Sequence, residues 1–149
     1  TRKTLPGLRA LQKYSVLMGG GKNHRFNLSD AAMLKDNHID AYGGIVPAVN
    51  KLREKIGHMI KIEVETRNLD EVQQALQRGA EVIMLDNMDC NAMSEAVKLG
   101  RGKALFEASG NITEDNIRKV AETGVDIISV GALTHSVKAF DISMRISKD

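Results

Sequence analysis

The sequence of 149 residues predicts an α/β fold, an incomplete or open β/α barrel (TIM-like) with mostly parallel strands, about seven in this chain. Two observations predict it. Short apolar runs alternate with amphipathic segments long enough to be helices. Four of the runs end in Glu65, Asp86, Ser109 and Gly131, at intervals of 21, 23 and 22 positions, the length of a strand plus a crossover helix. A doubly wound sheet is the alternative, but it would place a GxGxxG sequence after its first strand, and none is present.

Glycine and proline divide the first half of the chain. Residues 1–4 are predicted to end a strand, because Pro6 and Gly7 follow at once. Residues 8–18 have the apolar spacing of an amphipathic helix, which three glycines at 19–21 end. A second strand over 31–34 and a helix over 45–56 that Gly57 ends complete this half. A strand at the start of the chain lacks a neighbour, so we expect a further segment upstream or from another chain.

The second half repeats one strand and one helix. Strands are predicted over 60–65, 82–85, 103–108 and 126–130. Glycines at 79, 100 and 124 end the intervening helices. Asn68 is predicted to cap the first of these helices with Glu71 as its capping-box partner, and Thr113 to cap the third. Residues 140–146 are predicted as a last strand, at an edge of the sheet.

Composition bounds the class of protein. A hydrophobic content of 42% and a charged content of 27% are ordinary for a soluble globular protein, and the length suits one domain over 1–149. No apolar stretch approaches the roughly 20 residues that span a bilayer, so no membrane partner is expected. The single cysteine, Cys90, excludes an internal disulfide framework and fits a reducing compartment, which predicts a cytoplasmic protein.

Charge is unevenly distributed along the chain. Residues 1–29 contain six Lys or Arg and no acidic residue, whereas the rest sums to −4. A basic segment of this kind can attract an anionic ligand or simply form a solvated surface. Nucleic acid is not expected as the partner, because the segment lacks interleaved aromatic residues and any recognised binding motif.

Acidic residues occur at alternate positions of two predicted strands. Because side chains alternate along a strand, Lys61, Glu63 and Glu65 share one face, and Leu105, Glu107 and Ser109 share another. A buried carboxylate is costly unless it is paired or hydrogen-bonded. Glu63 and Glu107 are therefore predicted to form a structural network, with Lys61 as a candidate partner, and Glu65, at the strand exit, to be functional.

The strand ends also carry candidate ligand-binding groups. Two carboxylates at one rim, Glu65 and Asp86, suit Mg²⁺ bound partly through water, or ribose hydroxyls, although both could instead cap helices. Small residues at Ser109-Gly110 and at Gly131 would let backbone N–H groups approach a phosphate, although glycine there is also ordinary turn chemistry.

Five cations lie at strand ends or in the loop between them. Guanidinium groups match carboxylates bidentately, and Lys and protonated His add charge. Each cation alone is more often a surface residue, but clustered at one rim they predict a pocket for a small polycarboxylate. The five are Arg2, Lys3, His24, Arg25 and Lys35.

Several longer motifs extend these observations. They are Thr1-Arg2-Lys3-Thr4, Pro6-Gly7-Leu8-Arg9, Gly19-Gly20-Gly21-Lys22-Asn23-His24-Arg25, Lys35-Asp36-Asn37-His38, Ile62-Glu63-Val64-Glu65, Leu85-Asp86-Asn87, Glu107-Ala108-Ser109-Gly110 and Gly131-Ala132-Leu133-Thr134-His135-Ser136. In this order and spacing, and over essentially the whole chain, they resemble the quinolinate phosphoribosyltransferases, the decarboxylating nicotinate-nucleotide pyrophosphorylases of NAD biosynthesis.

The resemblance implies an enzyme that joins quinolinate to phosphoribosyl pyrophosphate with Mg²⁺ as cofactor, giving nicotinate mononucleotide, pyrophosphate and CO₂. It implies that Arg2, Lys3, His24, Arg25 and Lys35 bind quinolinate. It also implies that Lys35, Glu65, Asp86, Ser109, Gly110, Gly131 and His135 bind phosphoribosyl pyrophosphate. Among these, Lys3, Glu65 and Asp86 are implied to be catalytic, and the last two to bind Mg²⁺.

Two departures from the family qualify the resemblance. The family usually has Gly where this chain has Asn111, although Asn tolerates left-handed backbone angles. The family also has an N-terminal α/β domain of about 100 residues, which in a homodimer covers the neighbour's barrel mouth, and no such segment precedes Thr1 in this sequence. Two alternatives therefore stay open: a non-catalytic barrel fragment with a structural or assembly role, and a Schiff-base aldolase that uses Lys35 or Lys61.

Overall fold

A parallel sheet of five strands forms the centre of the computed structural model, which describes residues 3–147. The strands are β1 (Ala32–Leu34), β2 (Ile62–Thr66), β3 (Val82–Asp86), β4 (Leu105–Ser109) and β5 (Ile127–Ser129). Their order in the sheet follows the chain, and every neighbouring pair is parallel. Within the described residues the sheet is open, with β1 and β5 at its edges. The prediction of an open α/β barrel is therefore confirmed, with five strands rather than about seven.

Seven helices connect or flank the strands in the described part of the chain. They are α1 (Arg9–Met18), α2 (Asp36–Ala41), α3 (Ile45–Arg53), α4 (Leu69–Gln77), α5 (Cys90–Gly100), α6 (Ile117–Ala121) and α7 (Ala132–His135). The longer helices match the predicted ones to within a few residues, whereas α2 and α7 were not predicted. No helix in residues 3–147 is both long enough and apolar enough to cross a bilayer.

The two missing strands are the predicted end strands. Thr1 and Arg2 lie outside the described residues, and Lys3 and Thr4 are not in a strand. Residues 140–146 are not in a strand either, and the large side chains Phe140, Ile142 and Met144 are more than four-fifths exposed. An apolar pattern makes a strand only where a sheet edge supplies its hydrogen bonds, and this segment pairs with no edge among the described residues.

Helices cover one face of the sheet. The register places Leu34, Val64, Ile83 and Phe106 side by side on this face, all at most 6% exposed. Buried residues of α3, α4 and α5 join them in a single apolar cluster. Burying each large aliphatic or aromatic side chain contributes roughly 1.5–3 kcal/mol, so this layer fixes the sheet on which the opposite face is built.

The helix caps agree only in part with the prediction. The side chain of Asn68 accepts a hydrogen bond from the backbone N–H of Glu71 at 2.9 Å, as predicted. The Glu71 carboxylate accepts from the backbone N–H of Arg67 at 2.7 Å rather than from that of Asn68, so the predicted capping box is only half formed. The prediction that Thr113 caps α6 is wrong, because the helix begins at Ile117 and its N-cap residue is Asn116. The side chain of Asn116 instead accepts from the backbone N–H of Thr113 at 2.8 Å, which closes the turn before the helix.

Candidate active site

The face of the sheet opposite the helices carries the ionisable residues, and we call it the polar sheet face. Side-by-side pairing puts Met33, Glu63, Glu65, Met84, Asp86, Glu107, Ser109 and Ser129 on this face. Lys35 follows β1 directly, so the register continues it to a position beside Glu65. The structure thus brings predicted functional residues from β1, β2, β3 and β4 to one side of one sheet.

Lys35 and Glu65 form the shortest ion pair of the polar sheet face. The ammonium of Lys35 donates to Oε2 of Glu65 at 2.7 Å. Side-chain exposure is 45% for Lys35 but only 9% for Glu65, so a nearly buried carboxylate is neutralised by a cation that still reaches solvent. This pair stands where β1 and β2 end, the position at which β/α barrels bind their substrates.

His24 lies between two buried glutamates. Its Nε2 is 3.3 Å from Oε2 of Glu63 and 3.4 Å from Oε2 of Glu107. The hydroxyl of Ser129 donates to the other oxygen of Glu107 at 2.6 Å, whereas Oε1 of Glu63 is buried and has no hydrogen-bond partner among residues 3–147. Glu63 and Glu107 do form a network, as predicted, but its cation is His24.

The expectation that Lys61 is the partner of these glutamates is wrong. Lys61 is exposed and precedes β2, beside Glu81 and Arg101 in a surface depression at the amino end of the sheet. Strand alternation could not tell that Lys61 precedes the strand and that its long side chain extends to solvent. The amine of Lys35, the other candidate for a Schiff base, donates to Glu65 at 2.7 Å.

Opposing contacts determine the protonation state of His24. Hydrogen bonds and charges of Glu107 and Glu63 raise the pKa of His24 to about 9, although burial acts to lower it. The backbone N–H of Arg25 donates to Nδ1 at 2.8 Å, which places the single proton of the neutral ring on Nε2, between the carboxylates. A second proton on His24 would have to bind Nδ1, so protonation would break the hydrogen bond from the Arg25 N–H.

His24, Glu63 and Glu107 are residues of the types that bind metal ions. Among the described residues, His24, Glu63 and Glu107 bring one ligand atom each to within 4.8 Å of one another. A metal on Nε2 would require the proton to move to Nδ1, where Arg25 already donates. The arrangement thus favours a hydrogen-bonding imidazole over a metal ligand.

The predicted Mg²⁺ ligands have oxygens to offer. Glu65 uses Oε2 for Lys35, and Asp86 uses Oδ2 to accept from the side-chain amide of Asn87 at 3.0 Å. Glu65 pairs with Met84, so Asp86 lies on the neighbouring strand two residues further on, about 8 Å away between Cα atoms. This separation suits Mg²⁺ that retains water ligands between the two carboxylates, so the donor set fits the ion.

The loops after β3 and β4 are tied together. Asn87 donates its backbone N–H to the carbonyl of Ser109 at 2.9 Å, and its side chain accepts from the side-chain amide of Asn111 at 2.9 Å. Gly110 has φ +93°, and a Cβ there would overlap the side chain of Asn87. Asn111 adopts φ 51°, the left-handed conformation that Asn tolerates.

The predicted residues near the end of β5 lie in and before α7. The ring of His135 folds back over Gly131, where a Cβ would come within 2.9 Å of it. The segment that carries Lys3 approaches the same place. Leu5 donates to the side chain of Gln12, and Gln12 donates to the carbonyl of Thr134, both within 2.9 Å. Lys3 itself is exposed.

Of the two predicted arginines, one is described. Arg25 donates to the carbonyl of Ala31 at 3.1 Å and contacts Sδ of Met33 at 3.5 Å. It therefore lies against β1 on the polar sheet face, nearer the start of the strand than the predicted rim. Arg2 lies outside the described residues.

Sequence reasoning missed two contributors to the site. Ser129 was not a candidate, although alternation puts it beside Ser109. The side chain of His38 accepts from the backbone N–H of Lys35 at 3.0 Å and so fixes the turn into α2. A histidine in this role is not a usual capping-box residue, so the sequence offered no signal for it.

Comparison with known proteins gives concordant matches. A family model described as "Quinolinate phosphoribosyl transferase, C-terminal domain" matches residues 1–145. A Bacillus subtilis protein named probable nicotinate-nucleotide pyrophosphorylase (carboxylating) is 49% identical over 147 residues, which cover 99% of this chain and 51% of that protein. A chloroplastic nicotinate-nucleotide pyrophosphorylase of Oryza sativa is 48% identical, over 100% of this chain and 45% of its own length.

Solved structures agree with these matches. The crystal structure of NadC from Streptococcus pyogenes has a TM-score of 0.91 and 45% identity, over 97% of this chain and 51% of that one. A nicotinate-nucleotide pyrophosphorylase from Francisella tularensis has a TM-score of 0.89 and 49% identity, over 96% and 51%. This chain thus spans about half the length of the relatives it matches.

Proposed function

Because the chain belongs to the family of quinolinate phosphoribosyl transferase C-terminal domains, we propose that it is the catalytic barrel domain of an enzyme of NAD biosynthesis. The enzyme transfers the phosphoribosyl group of phosphoribosyl pyrophosphate to quinolinate. The products are nicotinate mononucleotide, pyrophosphate and CO₂.

The observation that carries this proposal is the placement of Lys35, Glu65 and Asp86 on one face of the sheet, where the strands end. A cation next to two carboxylates suits a substrate with both anionic groups and hydroxyls. His24 and Arg25 lie on the same face and add two nitrogen groups that can meet carboxylates.

The quinolinate subsite is built from the cations. His24, Arg25 and Lys35 bind the two carboxylates, and Lys3 lies close to both substrates. The ring nitrogen of quinolinate is thereby oriented towards the sugar, which lowers the barrier mainly by positioning.

The phosphoribosyl subsite is built from the loops after β3, β4 and β5. Ser109, Gly110, Gly131 and His135 bind the 5′-phosphate, and Glu65 and Asp86 accept hydrogen bonds from the ribose hydroxyls. These two carboxylates would also hold Mg²⁺, which would supply positive charge next to the pyrophosphate leaving group.

Bond changes follow from this arrangement. The bond between the anomeric carbon and pyrophosphate breaks, and the pyridine nitrogen forms the new bond to that carbon. The positive charge of the ring nitrogen then stabilises the electron pair that stays on the neighbouring ring carbon when its carboxylate leaves as CO₂, and this carbon takes up a proton from water. The protein supplies orientation and preorganised charges to both steps.

The test uses the full-length protein that contains this chain. With quinolinate, phosphoribosyl pyrophosphate and Mg²⁺, we expect equal amounts of nicotinate mononucleotide and pyrophosphate. Glu65→Gln should lower kcat/KM about 10- to 100-fold. The control Glu54→Gln changes an exposed carboxylate at the end of α3 and should leave kcat/KM unchanged. No product from the full-length protein would refute the proposal and favour a structural role for the domain.

Assembly and location are part of the same proposal. We expect a homodimer in which an N-terminal domain outside this chain completes the site, since the relatives are about twice as long. A cytoplasmic location fits the single cysteine, although some plant relatives are named chloroplastic or mitochondrial.

A further inference from the structure

Asn87 lies against three consecutive residues at the end of β4 and in the loop that follows it. Its backbone N–H donates to the carbonyl of Ser109, and its side-chain oxygen accepts from the amide of Asn111, both at 2.9 Å. Gly110 lies between these two contacts, and any side chain there would overlap Asn87. The loop after β4 therefore fixes the position of Asn87, the first residue of the loop after β3.

The other end of the Asn87 side chain reaches a predicted catalytic carboxylate. Its amide nitrogen donates to Oδ2 of Asp86 at 3.0 Å. Reversing this amide would set its oxygen against the Asp86 carboxylate and its NH₂ against the NH₂ of Asn111, so the orientation is determined by both partners. The result is a directed chain of hydrogen bonds from Asn111 through Asn87 to Asp86.

Backbone conformation indicates that this series of hydrogen bonds is a specific feature of the two loops. Asn111 and Asn87 have φ values of 51° and 53°, where glycine would be less strained. Asn111 is also held from the far side, because the side chain of Asn116 donates to its carbonyl at 2.9 Å. Two residues thus accept a strained conformation in which their amides meet.

We propose that Asn111 is a positioning residue, which acts through Asn87 to orient the Asp86 carboxylate towards the ribose hydroxyls. The inference rests on the proposed function. It deepens that function by coupling the phosphate loop, which is the loop after β4 with Gly110 and Asn111, to Asp86, the acid proposed to bind the ribose. It also assigns a role to the residue at which this chain departs from the glycine usual in the family it resembles.

The test separates the ribose from the phosphate. Inorganic phosphate would contact only the residues proposed to bind the 5′-phosphate, whereas ribose 5-phosphate adds the sugar hydroxyls that Asp86 would bind. Calorimetry on the full-length protein measures both dissociation constants without turnover. The variants are Asn111→Gly, Asn87→Gly and the double variant, since glycine removes the amide and fits the left-handed conformation.

We expect Asn111→Gly to raise the Kd for ribose 5-phosphate about tenfold, while the Kd for inorganic phosphate stays unchanged. The double variant should be no weaker than Asn87→Gly, because both changes break one chain of contacts. Thermal unfolding of each variant shows whether the fold is retained, and glycine at φ 51° is expected to retain it.

Two outcomes would overturn the positioning role. An equal rise in both dissociation constants would mean that Asn111 supports only the phosphate loop. Unchanged constants would mean that Asp86 needs no help from Asn111. A wild-type protein that binds neither ligand and forms no nicotinate mononucleotide would instead refute the proposed function, so the two failures are distinguishable.

Discussion

The contact of His24 with Glu107 predicts a pH-dependent stability that one substitution should weaken. The two glutamates raise the pKa of His24 from 6.5 to about 9. A pKa raised by about 2.5 corresponds to about 3 kcal/mol. The side chain of His24 is 25% exposed, so screening by solvent reduces the stabilisation to about 1–2 kcal/mol.

The sign follows from which state binds the proton more tightly. Because folding raises the pKa of His24, its stabilisation is complete below pH 6.5 and is lost as the pH rises through about 9. Glu107→Gln keeps the shape of the side chain but removes one of the two charges. We expect it to lower the pKa of His24 and to flatten the fall in stability between those two pH values.

Two measurements check this expectation. Nuclear magnetic resonance of the histidine ring nitrogens follows the titration of His24 in the full-length protein, and urea unfolding at pH 6 and pH 9.5 gives the free energies. Glu54→Gln changes an exposed acid directly after α3; it is the matched control and should change neither measurement. A wild-type His24 that titrates at or below 6.5 would refute the reasoning and show that the Arg25 N–H at Nδ1 decides the protonation state.

Three further substitutions test the site and the core. Arg25→Ala should weaken quinolinate binding by about 2–4 kcal/mol because a desolvated carboxylate loses its partner, and an unchanged Kd by calorimetry would remove Arg25 from the subsite. Gly110→Ala should abolish ribose 5-phosphate binding, because its methyl group would overlap Asn87; normal binding would contradict the close approach of the two loops. Gly100→Ala should cost about 1–3 kcal/mol in urea unfolding, because its Cβ would overlap the Phe106 ring, and wild-type stability would mean that the core repacks freely.

The central part of the fold could be predicted from the sequence because its signals are local. Apolar runs such as residues 82–85 lie in a sheet that helices cover on one face, and glycines follow α4 and α6. The same local signals wrongly predict a strand at the end of the chain. Residues 140–146 have strand-forming side chains, but a strand also needs an edge to pair with, and the sequence does not report whether an edge is available.

The candidate site shows the same division. Alternation grouped Glu63 with Glu65 and Glu107 with Ser109, and the register then places both groups on one face of the sheet. The partner of the buried pair was misassigned to Lys61, because sequence proximity favours it. The loop that carries His24 reaches the middle of the sheet from 39 positions before Glu63, and only tertiary packing sets such a contact.

By itself, the sequence determined the repeated strand and helix, the polar face of the sheet and the residue types that line it, because periodicity and breakers act over a few neighbouring residues. The tertiary structure alone decided which cation neutralises Glu63 and Glu107, and that Asn111 meets Asn87. These contacts join residues that are distant in the chain, and their geometry depends on how the packed helices set the strands and on the left-handed turns of two loops.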